Sequence, residues 1–255
     1  MNWGSSLTEE EKKWQDHFDR RLETVGGKNT YTTAFLDPRQ LELAEAVLRK
    51  KEGLSYSVYG GYPEAERNVI HVFPAQFQGG LPPVRAVVIE WSGDYESIGH
   101  RDLQGAVLAL GLRRDQVGDI IVLDRGRAVI MVLESKAEYI CSNLAQVGRV
   151  AVSCSSVDPD RLALAKNNSK EIRGTVASLR LDSLLSLGFG ISRSRVVRLI
   201  KGGVVMVNWR PISSPALQLT EGDQISLRGR GRLLLDQVEG ETRKGRIRLR
   251  LKKYS

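Results

Sequence analysis

The chain has 255 residues, 41% hydrophobic and 27% charged, enough to build sizeable cores in two or three domains. It has no apolar run of the roughly 18 residues a membrane span needs, and its glutamate-rich start lacks a secretion or transit signal, so no membrane insertion is expected and the expected compartment is the reducing cytoplasm. Net charge is +8 but uneven: residues 180–255 carry 16 Lys/Arg against 6 Asp/Glu, residues 1–179 carry 22 against 24, and a basic C-terminal third points to a polyanionic partner.

Thr8 with Glu11 three residues on reads as a capping box opening a helix to about Val25, with Trp14, Phe18, Leu22 and Val25 on one face. Asp37-Pro38 opens a second helix over 38–51, carrying Leu41, Ala44, Val47 and Leu48 and stopped by Gly53. Strands over 55–59 and 69–73 flank the turn-rich Gly60-Gly61-Tyr62-Pro63, so residues 1–75 form a small α+β domain. From Val84 the pattern predicts a strand (84–91), a helix (101–112), strands at 119–123 and 127–133, a helix (134–147) and a last strand (149–153). That βαββαβ order is the ferredoxin-like arrangement shared by RNA-recognition-motif domains, here over 76–160. The third strand, Arg127 to Val132, carries none of the stacking aromatics such domains use. The domain then reads as a structural or protein-contacting unit, or as a shape-dependent RNA surface. Residues 161–179 read as a linker, part of it helical near 161–165. Cys141 and Cys154 sit in apolar surroundings and read as buried free thiols.

The region 180–255 is where spacing and charge together name a partner. A helix with the stripe Leu181, Leu184, Leu185 and Leu187 ends at Gly188, Phe189 and Ile191 pack at a turn, and Ser192 caps the next helix. On that second helix Val196, Val197, Leu199 and Ile200 share one side, Arg195, Arg198 and Lys201 the other, and Arg193 lies in the first turn. A helix anchored by one face and rich in guanidinium on the other can dock on a phosphate backbone. A hairpin follows, turning at Asn208-Trp209 into Arg210. A large ring at a hairpin tip suits packing on a neighbour or stacking on a base. Arg228, Arg230 and Arg232 alternate with glycines. Arg246, Arg248, Arg250 and Lys252 alternate with Ile247, Leu249 and Leu251, which on a strand puts the cations on one face. With Arg180, these residues make the candidate RNA-binding set.

Residues 180–228 resemble the S4 RNA-binding domain, a helix-turn-helix with a small β-sheet. The resemblance rests on Arg180-Leu181-Asp182, Ser192-Arg193, Leu199-Ile200, Gly203, Val207-Asn208-Trp209 and Gly222-Asp223. The usual tip of that domain is Val-Asn-Gly; with Trp209 in the glycine position, the turn either departs from type I′ or carries strain. Val207-Asn208-Trp209 followed by a basic residue is similar to the YlmH-type subfamily. So are Gly60-Gly61-Tyr62, Ala65-Glu66-Arg67, Gly99-His100-Arg101-Asp102, Gly111-Leu112-Arg113-Arg114, Gly118-Asp119-Ile120, Val147-Gly148-Arg149 and Gly245 to Leu249, over about residues 40–255. The resemblance implies an α+β protein that binds ribosomal RNA, and tRNA as a further partner, on the large ribosomal subunit in translation quality control. Cyanobacterial and plastid relatives carry the label photosystem II S4-domain protein, which leaves a photosystem II assembly factor as an alternative.

Competing chemistry is weak. His100-Arg101-Asp102-Leu103 mimics a kinase catalytic loop, but Val107 stands where the metal-binding Asn belongs. His100 and Arg101 fit a helix cap or an RNA contact instead. Gly27-Lys28 lacks the rest of a P-loop, and His17, His71 and His100 lack metal spacing. An RNA-modifying enzyme targeted by its basic module is the rival class. Such enzymes carry the module ahead of a catalytic domain, whereas here 27 residues follow Arg228. The expectation is a monomeric, non-catalytic RNA-binding adaptor with no catalytic residue, cofactor or metal.

Overall fold

The computed structural model describes residues 7–92, 98–124, 126–162 and 169–254, which fall into two compact units, Met1–Ala165 and Lys166–Ser255. In the first, both bonds of the expected capping box open α1 (Glu9–Leu22): the Glu11 N–H donates to Thr8 Oγ1 at 3.1 Å and the Thr8 N–H to the Glu11 carboxylate at 2.8 Å. The helix ends before Val25 because the Thr24 and Val25 N–H groups turn back to the Arg21 and Leu22 carbonyls. β1 (Tyr31–Thr32) follows. Asp37 then caps α2 (Pro38–Leu48), with Pro38 at the position where a missing N–H costs nothing. β2 (Leu54–Tyr59) and β3 (Val69–Pro74) complete an antiparallel sheet in the order β1-β3-β2. Phe18, Leu22, Ala44 and Leu48 from the helices pack on Ile70 and Val72.

The middle of the unit follows the expected βαββαβ order: β4 (Val84–Glu90), α3 (His100–Ala109), β5 (Val117–Asp124), β6 (Arg127–Leu133), α4 (Glu134–Asn143), a small hairpin of β7 (Gln146–Val147) and β8 (Val150–Ala151), and β9 (Ser153–Val157). The sheet is antiparallel throughout in the order β5-β6-β4-β9, the ferredoxin-like arrangement. The last strand lies later than the 149–153 expected. Gly148, in the left-handed region at φ +60°, closes the β7–β8 hairpin, and Ser153–Val157 pairs with β4. The stretch expected to be helical near 161–165 starts as a single 3-10 turn, Pro159–Arg161, and from residue 163 lies outside the described residues.

Both faces of this sheet are buried, which is why β4 and β6 read as continuous apolar runs. Val87, Ile89, Ala128, Ile130 and Val132 face Leu103 and Val107 of α3 and Ala137 and Ile140 of α4. Ala86, Val88, Ile121, Val129 and Met131 face Phe35, Tyr62 and Val69. The approach is close enough that a Cβ on Gly118 would meet the Phe35 ring at 2.6 Å. The two regions expected as domains 1–75 and 76–160 therefore share a core. The face through which a recognition-motif sheet would stack bases is occupied.

In the second unit the stretch expected as a linker contains β10 (Lys170–Val176). It is followed by α5 (Leu181–Phe189), α6 (Arg193–Lys201), β11 (Val205–Val207), β12 (Arg210–Pro211), β13 (Gln224–Leu227), β14 (Gly231–Glu241) and β15 (Ile247–Tyr254). The sheet order is β10-β15-β14-β13-β11-β12, and β10 pairs along its whole length with β15. α5 does not stop at Gly188 as expected. A Cβ there would meet Leu233 Cδ1 at 2.3 Å, so this glycine serves helix–sheet packing, and Gly190, at φ +63°, ends the helix. Leu181, Leu184, Leu185, Val196, Ile200, Leu233, Leu235, Leu249 and Leu251 form the buried interior.

Candidate nucleic-acid interface

Helix α6 has the two faces its periodicity predicts. Val196 and Ile200 are buried, Val197 and Leu199 half-buried, and Arg195, Arg198 and Lys201 exposed. Among the described residues these three cations make no ion pair, so their charge faces water undiminished. Ser192 occupies the N-cap position without a side-chain cap bond; its Oγ lies 3.2 Å from Ser194 Oγ.

Arg180 and Arg193 are organised differently, converging on Asp182. Arg180 donates through Nε and Nη2 to the two Asp182 oxygens at 3.2 and 3.1 Å. Arg193 Nη2 donates to Asp182 Oδ1 at 3.1 Å and to Ser183 Oγ at 3.0 Å. Burial of the carboxyl group raises its pKa, but the hydrogen bonds from Arg180 and Arg193 outweigh burial and hold it below the usual carboxylate range. The effect is to fix two guanidinium planes at the junction of α5 and α6 while leaving donors on each for an outside acceptor.

The hairpin tip carries the strain its sequence implied. Asn208 and Trp209 both have positive φ, +48° and +62°, the pattern of a type I′ turn. Asn208, expected as an RNA contact, is committed to holding this turn. Its Nδ2 donates to Asp223 Oδ1 at 2.8 Å, its Oδ1 accepts the Gln224 N–H at 2.9 Å, and its own N–H donates to the Gln224 carbonyl at 2.9 Å. Asp223 in turn accepts the Thr220 N–H at 2.7 Å. Trp209 is half-buried, and Arg210 follows on β12.

Arg228 and Arg230 are exposed in the turn between β13 and β14, while Arg232 lies on β14 with its guanidinium 5.9 Å from the Tyr254 ring centre. On β15 the expected alternation holds: Leu249 and Leu251 are buried and the cations take the other face. That face is partly neutralised, however. A bulge in β14 brings Asp236 beside the strand, where Arg250 Nε reaches it at 2.5 Å and Lys252 Nζ at 2.6 Å. Arg246 donates to Thr175, leaving Arg248 exposed and unpaired among the described residues. The cations missed in the sequence include Arg243 and Lys244, exposed in the turn between β14 and β15, and Arg173 on β10, held by Glu171 at 2.6 Å. The run Thr242-Arg243-Lys244-Gly245 signals a charged hairpin tip, but Arg173 could be found only once residues 170–176 were known to form a strand.

Cys141 and Cys154 are free and half-buried. Among the described residues no His, Cys, Asp or Glu cluster is placed to hold a metal, and no helix is long and apolar enough to cross a membrane.

Three family models match the chain in succession. They are described as "YlmH, N-terminal" over residues 19–77, "Putative RNA-binding domain in YlmH" over 83–160, and "S4 domain" over 179–225. The first begins upstream of residue 40, where the sequence resemblance became clear. Among characterised proteins the chain is similar to "Ribosome-associated protein quality control protein P2" of Bacillus subtilis (strain 168). It is 33% identical over 220 residues, spanning 85% of this chain and 84% of that protein. Among solved structures it is similar to "Cell division protein ylmH from Streptococcus pneumoniae", at 24% identity and a TM-score of 0.49, covering 60% of this chain and 94% of that one.

Proposed function

The chain belongs to the YlmH family of S4-domain proteins, and from that premise we propose that it is a non-catalytic RNA-binding protein of the large ribosomal subunit. It holds structured ribosomal RNA, or tRNA there, in ribosome-associated quality control of translation. The observation that carries this is the exposed face of α6, where Arg195, Arg198 and Lys201 form no ion pair among the described residues on a helix anchored by Val196 and Ile200. The name of the Bacillus subtilis relative supplies the ribosomal setting. Guanidinium groups donate hydrogen bonds to phosphate and keep their charge at neutral pH, so this face suits binding rather than proton transfer.

In this reading Arg180 and Arg193, pre-oriented by Asp182, hold phosphates beside α6, while Arg210 and the half-buried Trp209 extend the contact along the hairpin. Arg228, Arg230, Arg232, Arg248 and the turn cations Arg243 and Lys244 supply a second, more diffuse field. Arg246, Arg250 and Lys252, already bonded within the sheet, contribute less. Four to six phosphate contacts give a log–log dependence of affinity on salt with a slope of about −3 to −5. Replacing Arg195 and Arg198 by Glu reverses the charge of exposed residues and should strip the protein from large subunits in sucrose-gradient sedimentation while leaving its melting temperature nearly unchanged. Continued co-sedimentation of a folded double variant overturns the assignment. Crosslinking with RNA sequencing from extract should return discrete ribosomal or transfer RNA sites; crosslinks confined to proteins would instead favour an assembly factor acting through protein contacts.

A further inference from the structure

A second group of cations lies in the unit Met1–Ala165, where Arg67 in the segment before β3, His100 at the start of α3 and Arg114 in the 3-10 turn Arg114–Gln116 lie around Asp119 of β5. Asp119 acts as a latch. Tyr62 Oη and the Glu66 N–H donate to its Oδ2 at 2.7 Å each, and the Arg67 N–H to its Oδ1 at 3.1 Å. Three bonds hold the Gly60–Arg67 loop on β5, and the carboxylate stays within electrostatic reach of Arg67 and Arg114 without forming an ion pair with either among the described residues.

The two arginines are bonded to carbonyl oxygens instead. Arg67 Nη2 donates to the Phe35 carbonyl at 2.9 Å, and its Nε is buried with no hydrogen-bond partner among the described residues. Arg114 Nη1 donates to the Val117 and Gly118 carbonyls. Neither forms an ion pair among the described residues. Burial, and then the neighbouring charge of Arg67, bring Arg114 down to about 10, with Asp119 opposing them. The other acids within electrostatic reach of Arg67 are engaged elsewhere: Asp37 caps α2, and Asp115 takes both fork nitrogens of Arg113 at 3.1 and 3.2 Å. His100, at the first position of α3, keeps an accessible edge, and desolvation of the rest of the ring, then Arg114, lower its pKa, with Arg101 adding to the same effect and Asp119 opposing it.

Two half-buried like charges and an unpaired buried donor are costly; an unsatisfied buried donor alone costs about 1–3 kcal/mol. Neutral side chains could cap the same carbonyls. An anion beside the two guanidinium groups offsets their like-charge cost, and the planar fork fits the oxygens of phosphate. We propose that Arg67 and Arg114 form a binding site for a phosphate group, carried either by the RNA backbone or by a small phosphate-bearing ligand, within electrostatic reach of His100. Being built on the first unit, this site does not depend on the cations of α6.

The chain has three histidines, His17, His71 and His100, so imidazole NMR signals report directly on the intact protein. Inorganic phosphate, and separately a short RNA, are titrated in at constant ionic strength. The His100 signals should shift saturably and its titration midpoint should rise, because the bound anion offsets the charge of Arg114; His17 and His71 should not move. Saturation by inorganic phosphate assigns a small phosphate ligand, and a response to RNA alone assigns the backbone phosphodiester. Arg67→Lys and Arg114→Lys keep the charge but lose the fork, and each should weaken the response at least tenfold. The Arg195→Glu/Arg198→Glu protein should respond like wild type, which separates this site from the ribosomal contact above. An unmoved His100, a shift shared equally by all three histidines, or lysine variants that respond like wild type would overturn the proposal.

Discussion

The hairpin at Asn208-Trp209 allows backbone strain and ring chemistry to be measured apart. At φ +62°, Trp209 occupies a conformation that costs a residue with a Cβ about 1–2 kcal/mol. Trp209→Ala and Trp209→Gly both delete the ring, so whatever the half-buried indole contributes to packing or RNA binding is lost equally from each. Only alanine retains the strain. Glycine gives back about 0.5–1 kcal/mol through its greater freedom in the unfolded chain. The glycine variant should therefore be more stable than the alanine variant by about 0.5–1 kcal/mol. For a unit the size of Lys166–Ser255, 1 kcal/mol corresponds to about 4–8 °C, so melting temperatures should differ by about 2–8 °C, as read by calorimetry or circular dichroism. Equal stabilities, or alanine ahead, would mean that the turn is not held left-handed at Trp209, and the strain argument fails. RNA affinity gives an independent readout. If the ring stacks on a base, both variants lose about 1–3 kcal/mol, roughly five- to 150-fold, and to the same extent.

Three further outcomes follow from the same geometry. Phe35→Ala removes a fully buried ring from the second face of the β5-β6-β4-β9 sheet and should cost about 3–5 kcal/mol in urea unfolding; a loss below about 1 kcal/mol would show that this face is not filled. Asp182 has a lowered pKa in the folded state, so its contribution is present above its unfolded value of about 3.9 and is lost as pH falls through the lower folded value. Asp182→Asn should therefore flatten the acid arm of the stability profile below about pH 4, and an unchanged arm would contradict the ion-pair geometry. Burial pushes the Cys154 thiol up to about 11, with Cys141 adding to the effect, so its neutral form is favoured in the fold. Stability from this group is complete below about pH 9 and declines as pH rises toward 11, and at pH 8 a thiol reagent should modify Cys154 far more slowly in the native than in the unfolded protein.

Local and periodic features of the chain were legible in the sequence. Thr8 with Glu11 and Asp37 with Pro38 mark helix starts because cap and helix are neighbours along the chain. The faces of α6 and β15 follow from spacings of 3.6 and 2. From sequence the last strand is set too early, at 149–153, because Ser153, Ser155 and Ser156 of β9 lie on a sheet edge and lack apolar alternation. β10 was missed because its seven residues become a strand only through β15, more than seventy positions away.

For the candidate site, charge counts and helical periodicity suffice to locate the positive charge and the side of α6 that presents it. Tertiary structure decided which of those charges are available. Asp182 gathers Arg180 and Arg193, Asp236 neutralises Arg250 and Lys252 across a bulge, and Asn208 is spent on its own turn, whereas Arg195, Arg198 and Lys201 have no ion-pair partner among the described residues. The reason is physical. Helix and strand periodicity is a property of consecutive residues, while an ion pair or a covered sheet face depends on partners that only the folded chain brings within reach.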